Sequence, residues 1–350
     1  MKRRRRRNRR ANATVTVLQV AAMAGVSVAT VSRVLNRPEA VRESLRDKVL
    51  SAISKLNYVP HGAARALASR RTKTIGAVVP TLDNGTFAQC LEALQSRINQ
   101  AGYVLLVATS EYDLARESEE VRALLERGID GLMLVGADHE LSVYARLQSK
   151  GIPLVLTWAI EAPFGHGCVG FDNAELARQL ADHLVDLGHR HFGIIAGITR
   201  HNDRAAGRLA GYKEALAKRG IDLNEVPIFE RRYSINDGRA ALRMLMSVKP
   251  RPTAVLCGND ILAIGALTEC AASGLHVPRD ISVAGFDDNE MSACVTPSLT
   301  TVSVKPHLMG QFAAEYLIAR LSGGKTAGIV DVHAELVLRQ STAPPPGGES

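Results

Sequence analysis

The chain has 350 residues, of which 46% are apolar, enough for a small and a large domain that each have their own core. Disorder of the whole chain is excluded. The net charge of +8 hides an asymmetry, because residues 1–72 hold 17 Lys/Arg against 3 Asp/Glu, whereas residues 73–350 hold 26 against 32. A basic first fifth on an acidic body is typical of a protein that meets a polyanion at one end, and nucleic acid is the first candidate.

The cysteines and the apolar runs exclude several other classes of protein. The five cysteines are odd in number, widely spaced and without a C-x-x-C pair, so we expect no disulfide framework, metal or cofactor. No apolar run reaches the ~20 residues that span a bilayer. Lys2–Arg10 and the apolar stretch after it resemble a secretory signal, which would fit an exported sugar-binding protein. Gln19, Ser27 and Thr30 interrupt that stretch, so we expect a cytoplasmic protein without a membrane partner.

Two short helices are predicted near the N-terminus. Thr16 followed three residues later by Gln19 is a capping box, which predicts a helix beginning directly after Thr16. Gly25 supplies the left-handed residue that ends this helix, and Ser27 caps a second helix over 28–36. Two short helices joined by a glycine-containing turn form a helix-turn-helix, whose second helix fits the major groove of DNA.

The apolar spacing divides the second helix into two faces. Val31, Val34 and Leu35 point to the core, and the opposite face carries Val28, Ala29, Ser32 and Arg33. A third helix over about 43–56 would close the small core. An ordinary three-helix bundle without a ligand is the alternative, and the basic charge of the segment favours DNA binding over it.

From residue 75 onward, short apolar runs alternate with helical patterns, which predicts parallel sheets covered on both faces. The runs fall into two series, at 75–80, 103–108, 131–136 and 152–157, then at 192–197, 228–233, 253–258 and 281–286. Two series predict two lobes, with a ligand at the carboxyl ends of the strands. Polar and aromatic residues follow these strands, namely Asp83, Asn84, Phe87, Trp158, Asp172, Arg200, Arg204, Asn259 and Asp287.

No nucleophile–base set or glycine-rich phosphate loop is present, so an enzyme is the least favoured class and no catalytic residue is assigned.

Six runs together resemble one family. They are VLQVAAMAGVSVATVSRVLN at 17–36, LNYVP at 56–60, GRLAGY at 207–212, CGNDILAIGAL at 257–267, VPRDISVAGFDD at 277–288 and PSLTTV at 297–302. Over roughly residues 15–342 the sequence resembles the lac repressor (LacI/GalR) family. The resemblance implies an all-α helix-turn-helix headpiece and an α/β, periplasmic-binding-protein-like sensor of two lobes, with chain crossings near residues 172, 302 and 331. It implies a transcription repressor that binds double-stranded operator DNA under control of a small effector, a sugar, sugar acid or related catabolite.

The resemblance also assigns residues to the two binding functions. For DNA they are Thr16, Val28, Ala29, Thr30, Ser32, Arg33, Asn36, Arg65 and Leu67. Arg33 can pair with guanine through two hydrogen bonds, and Leu67 matches the residue of a hinge helix at 61–69 that wedges into the minor groove. For the effector they are Phe87, Trp158, Asp172, Arg208, Tyr233, Asn259 and Asp287. Arg208 and Asp287 are the strongest of these; for each carboxylate a strand-end cap or an interlobe salt bridge is the alternative, and Trp158 could be a core residue.

The expected domains follow from these assignments. They are a disordered basic arm at 1–14, the helix-turn-helix at 15–60, a hinge helix and linker at 61–73, the sensor and dimerisation domain at 74–342, and a disordered tail at 343–350. Two headpieces are needed to read a pseudo-palindromic operator, which implies a homodimer. The terminal TAPPPGGES has no heptad repeat, so a dimer is favoured over a tetramer. Whether the basic arm contacts phosphates stays open.

Overall fold

The computed structural model describes residues 15–59, 71–161 and 163–347. The chain divides into two compact units, Met1–Thr72 and Lys73–Ser350. Several predictions lie outside the described residues, namely those for the basic arm at 1–14, the hinge residues Arg65 and Leu67, and the side chain of Asn36.

The described part of the first unit contains the helices α1 Val17–Ala24, α2 Val28–Asn36 and α3 Glu43–Leu56. The Thr16 side chain accepts a hydrogen bond from the Gln19 backbone, and the Gln19 side chain accepts one from the Thr16 backbone, which confirms the capping box. Gly25 ends α1 in the left-handed conformation with φ 65°, and Ser27 caps α2.

A small apolar core holds these three helices together. Val20, Val31, Val34 and Val49 are buried in it, and Leu35 is partly buried against it. The axes of α1 and α2 meet at 102°, the steep angle expected of a helix-turn-helix. Within the described part of the chain, no single helix is long and apolar enough to cross a membrane. Taken together, α1 and α2 have the length and composition of a membrane span, but the chain bends sharply between them.

The second unit alternates strands and helices. Its strands are β1 Thr74–Val79, β2 Val104–Thr109, β3 Gly131–Val135, β4 Leu154–Thr157, β5 Gly167–Gly170, β6 Phe192–Gly197, β7 Ile228–Arg231, β8 Ala254–Cys257, β9 Ser282–Ala284, β10 Thr301–Ser303, β11 Ile329–Asp331 and β12 Glu335–Val337. Its helices are α4 Gly85–Gln100, α5 Leu114–Glu126, α6 Leu141–Lys150, α7 Asn173–Asp186, α8 Asp203–Lys218, α9 Ile235–Ser247, α10 Asp260–Ala272, α11 Glu290–Cys294 and α12 Pro306–Leu321. The helices α6, α7, α11 and α12 were not among the sequence predictions.

The strands form two parallel sheets, which define two lobes. Lobe 1 is built on the sheet β11-β5-β4-β3-β1-β2, and lobe 2 on the sheet β7-β6-β8-β9. Val78 of β1 lies opposite Ala108 of β2 and Leu134 of β3, so these strands end at the same edge. The chain passes between the lobes after β5, around the short antiparallel pair β10-β12, and after β11. The three crossings confirm the expected two-lobed architecture.

Both sheets are covered by helices on both faces, as a buried parallel sheet requires. In lobe 1, Ala77 packs on the side of α4 and α12, whereas its neighbour Val78 packs on the side of α5 and α6. In lobe 2, Ile194 packs on the side of α7 and α8, whereas Ile195 packs against α9 and α10. The alternation explains why these strands read as continuous apolar runs in the sequence.

The ordered part of the second unit extends past residue 342, where the sequence predicts that the tail begins. The Ala343 backbone nitrogen donates a hydrogen bond to Ser282 Oγ at 3.1 Å, and its carbonyl lies 2.8 Å from Nε2 of the buried His189. Pro345 lies beside Gly188. These contacts attach the chain after residue 342 to lobe 2, and a proline-rich composition could not reveal them.

Candidate ligand-binding cleft and DNA-binding helix

A cleft of about 340 Å³, including its open mouth, lies between the two lobes. The residues that line it are Asn84, Thr86, Phe87, Tyr112, Trp158, Asn202, Arg204, Arg208, Tyr233, Asn259 and Asp287. Six of the seven residues predicted to contact an effector are therefore brought to one place. They come from elements far apart in the chain, which meet because parallel strands end at a common edge.

Asp172 is the predicted effector residue that does not line the cleft. Its carboxylate accepts hydrogen bonds from the backbone nitrogens of Ala174 and Glu175 and so caps helix α7, and its side chain is exposed. A carboxylate directly after a strand and before a helix satisfies the same sequence pattern whether it caps the helix or binds a ligand. The cap is the role that the structure shows.

Three helices begin at the cleft, each capped by an asparagine. The Oδ1 atoms of Asn84, Asn202 and Asn259 accept hydrogen bonds from the first turns of α4, α8 and α10. All three asparagines are buried and line the cleft. The positive ends of three helix dipoles are therefore directed toward the same small volume.

Arg208 and Asp287 form the charged floor of the cleft. Arg208 Nη1 lies 3.4 Å from Asp287 Oδ1, and Arg208 Nη2 lies 3.4 Å from the Tyr233 hydroxyl oxygen. The guanidinium also lies over the ring of Phe286, with its carbon 4.7 Å from the ring centroid. Asp287 has a φ of 118°, an unfavourable conformation for a residue with a side chain, so the surrounding structure holds it in place.

Burial determines the protonation of this floor. Desolvation raises the pKa of Asp287 to about 7 against the opposing effect of Arg208, while Asp260 raises it further. Burial alone would lower the pKa of Arg208, but Tyr233 and Asp287 raise it above its ordinary value. Arg208 therefore stays charged, whereas Asp287 changes its charge near neutral pH.

Aromatic residues form the wall of the cleft on lobe 1. Phe87 at the start of α4 and Trp158 directly after β4 meet edge to face, with ring centroids 5.0 Å apart. Trp158 is only 3% exposed and has a φ of 58°, which turns it away from the strand direction. It is both a core residue and a lining residue, so the two alternatives for it are compatible.

Tyr112 is a lining residue that the sequence reasoning missed. It follows β2 in the left-handed conformation, as does Glu111, and its ring lies 5.7 Å from that of Tyr233 on lobe 2. The signal was available, because Tyr112 lies just past the carboxyl end of a strand, as Phe87 and Trp158 do. Thr86 and Asn202 were missed as well, although each lies in the loop or first helical turn that follows a strand.

The lobes are also joined directly beside the cleft. Arg204 Nη1 donates to the Val135 carbonyl at 3.0 Å, and the Ala137 nitrogen donates to Asp203 Oδ2 at 2.8 Å. Gly136 lies between these bonds with a φ of 88°, and a Cβ there would be 2.0 Å from Arg204 Nη1. The left-handed φ and the close approach both favour glycine, so Gly136 lets the two lobes join at this point.

The first unit presents the predicted DNA-reading face to solvent. Val28, Ala29, Ser32 and Arg33 on α2 are exposed, while Val31 on the same helix is buried. Two further predicted DNA residues take part in helix capping. Thr16 is exposed at the start of α1, and the half-buried Thr30 has its Oγ1 3.0 Å from Ser27 Oγ.

Among the residues that the structure describes, no group of three or more His, Cys, Asp or Glu side chains could hold a metal ion. Four of the cysteines are buried and Cys294 is exposed, each as a free thiol.

Known proteins match both units. A model of the bacterial regulatory proteins of the lacI family matches residues 16–61, and a model of the periplasmic binding protein-like domain matches residues 181–342. The HTH-type transcriptional repressor PurR of Photobacterium profundum is 33% identical over 332 residues, which cover 93% of this chain and 98% of that protein.

Two solved structures are similar over nearly the whole chain. The lac repressor dimer bound to operator and the anti-inducer ONPF has a TM-score of 0.82 at 30% identity, with 94% of this chain and 99% of that chain covered. The complex of the transcriptional regulator CelR with cellobiose has a TM-score of 0.68 at 29% identity, with 93% and 99% covered.

The fold, the exposed helix and the cleft define a DNA-binding transcriptional repressor with a ligand-binding domain. The chain belongs to the LacI family. The resemblance seen in the sequence is confirmed.

Proposed function

We propose that this repressor binds operator DNA with an affinity set by a small polar molecule in the interlobe cleft. The observation that carries the proposal is the convergence of Phe87, Trp158, Arg208, Asn259 and Asp287 on one cleft. Side chains that combine an aromatic wall with convergent polar groups suit a small ligand with several hydroxyls. A sugar, sugar acid or related catabolite is the ligand class that these groups match.

The cleft is suited to a switch because both lobes contribute to it. A ligand that contacts Trp158 on lobe 1 and Arg208 on lobe 2 binds more tightly when the lobes are close together. Such a ligand shifts the population toward the closed arrangement by its difference in affinity for the two arrangements. The same closure can strengthen or weaken operator binding, so induction and corepression are both compatible with it.

The DNA side of the proposal rests on helix α2. Among the exposed side chains of α2 that the structure describes, that of Arg33 alone can make two parallel hydrogen bonds to a base edge, whereas Val28 and Ala29 offer apolar contact to a thymine methyl. Two such helices in a homodimer would read a two-fold operator, as in the lac repressor dimer on its operator. The hinge assignments of Arg65 and Leu67 remain predictions.

A selection from random duplex DNA followed by binding titrations tests this function. The full-length chain should enrich a pseudo-palindromic sequence, and its affinity for that sequence should fall steeply with salt, with log K linear in log salt, because Lys and Arg release counterions from phosphates. A panel of small molecules is then screened for release or strengthening of the operator complex. Failure to enrich any sequence, or binding that does not depend on salt, would contradict the proposal.

A further inference from the structure

Arg208 has unused hydrogen-bonding capacity in the cleft. Only 7% of the residue is exposed, and its Nε atom has no hydrogen-bond partner among the described residues. The contacts of its two terminal nitrogens, to Asp287 and Tyr233, are both long at 3.4 Å. A buried guanidinium with an unsatisfied donor and two weak bonds is costly unless a ligand supplies a strong acceptor. A carboxylate is the planar acceptor that matches Nε and a terminal nitrogen together.

The remaining charges of the cleft also favour an anion. Arg204 pairs closely with Asp203 at 2.8 Å, whereas the pair of Arg208 with Asp287 is longer at 3.4 Å, so Arg208 is the cation more easily drawn to a ligand. Asp287 is the sole carboxylate among the lining residues that the structure describes. Burial raises its pKa and so favours its neutral form. The first turn of α4 carries no acidic residue, so its N-terminus adds positive potential that favours an anion, whereas Asp203 and Asp260 offset that of α8 and α10.

The other lining groups suit hydroxyls and a short carbon chain. Asn84, Asn202 and Asn259 use Oδ1 to cap their helices, and within the described residues their Nδ2 amides donate no hydrogen bond to the protein. Those amides are available to hydroxyl oxygens. Phe87 and Trp158 line the same cleft and offer apolar contact to the carbon chain that carries those hydroxyls.

We propose that the cleft selects a small monoanionic polyhydroxy acid, whose carboxylate binds Arg208 in competition with Asp287 and whose hydroxyls bind the asparagine amides. The inference rests on the proposed function and narrows its ligand class to sugar acids. A neutral sugar would instead need the Asp287 carboxylate as a hydrogen-bond acceptor, whereas the acid competes with that carboxylate for Arg208.

The competition with Asp287 predicts the direction of the pH dependence. The charged and titratable groups that face Asp287 are Arg204, Arg208 and Tyr212 on α8, Asp260 on α10, and Tyr112 on the loop after β2. A bound carboxylate raises the pKa of Asp287 above its value of about 7 in the free protein. Binding therefore takes up a proton above that pH, so the affinity for the acid falls as pH rises through 7, by up to about tenfold per unit.

The first experiment compares matched ligands by calorimetry on the full-length protein. The panel contains aldonates and uronates of five and six carbons, the neutral aldose and alditol of each, and the corresponding sugar phosphates. We expect at least one acid to bind ten or more times as tightly as its neutral counterparts, and more weakly at pH 8 than at pH 6. A neutral sugar that binds as tightly as its acid, a phosphate that binds more tightly than every carboxylate, or an absence of binding by all the acids would overturn the proposal.

The second experiment replaces the titrating group. Asp287→Asn should bind the acid more tightly than the wild type at pH 8 and with a flat pH profile, because the competing charge is removed. Asp172→Asn is the matched control, since it makes the same chemical change at a helix cap outside the cleft and should leave the profile unchanged. Equal loss of acid binding at all pH values in a folded Asp287→Asn protein would overturn the assignment. The proposed function would survive that outcome if a ligand of another class still altered operator binding.

Discussion

An Arg208→Ala variant should bind operator as the wild type does and no longer respond to the cognate effector. The substitution removes the buried cation of the cleft whose Nε has no hydrogen-bond partner among the described residues, so effector affinity should fall by about 2–5 kcal/mol, a factor of about 30 or more. The helix-turn-helix belongs to the other compact unit and is untouched. Operator titrations with and without the effector, together with the fluorescence of Trp158, measure both effects.

The variant should still fold at neutral pH. Loss of Arg208 leaves Asp287 buried without its partner, and the pKa of Asp287, already about 7, rises further because Arg208 lowers it. Asp287 then becomes neutral rather than remaining a buried unpaired charge, which limits the destabilisation. Arg200→Ala is the matched control, since Arg200 follows β6 but is exposed and outside the cleft. A folded Arg208→Ala protein that switches with unchanged effector affinity would show that the contact assignment is wrong.

An Arg33→Ala variant should lose discrimination at one base pair of each half-site. A two-hydrogen-bond pair between arginine and guanine contributes about 1–3 kcal/mol of discrimination, so the preference at that position should fall by about 5- to 150-fold. Arg33 is exposed on α2, whereas Val31 and Val34 attach this helix to the core of the first unit. The variant should therefore fold as the wild type does. Competition binding against operators with each base at every position measures the change.

Arg33→Lys separates base reading from charge. Lysine keeps the positive charge but lacks the planar fork, so non-specific binding should be preserved while discrimination at the one position falls. If Arg33→Ala weakens specific and non-specific binding equally, with no position relaxed, Arg33 is a phosphate contact and the base-reading role is wrong.

The sequence predicted the fold well because its signals are local. The capping box at Thr16 and Gln19 and the left-handed Gly25 depend on residues within one turn, and the structure confirms them. Strand and helix alternation likewise predicted the two lobes. The attachment of Ala343 to His189 and Ser282 was missed because it joins residues more than 60 positions apart.

The cleft was predicted less completely. The rule that ligands bind at strand ends selected Phe87, Trp158 and Asn259, since the parallel sheets align those ends. It could not separate Asp172, which caps α7, from Asp287, which faces Arg208, because both are carboxylates after a strand. Their difference depends on the backbone path after each strand.

The hydrogen bonds between the lobes were also beyond the sequence. In the sequence, Gly136 is simply a glycine at the end of an apolar run. Its role depends on the approach of Arg204 from a helix about 70 residues later in the chain. Such a contact depends on how the two lobes meet rather than on local propensity.

Effector binding and operator binding should be thermodynamically coupled in this repressor. The most direct test measures the effector dissociation constant twice by calorimetry, once for the free protein and once for the protein saturated with operator. It then measures operator affinity with and without saturating effector. Linkage requires both ratios to be equal, and a coupling of about 1–3 kcal/mol would make them about 5- to 150-fold. An effector that binds the cleft with the same affinity in the presence and absence of operator would contradict the account.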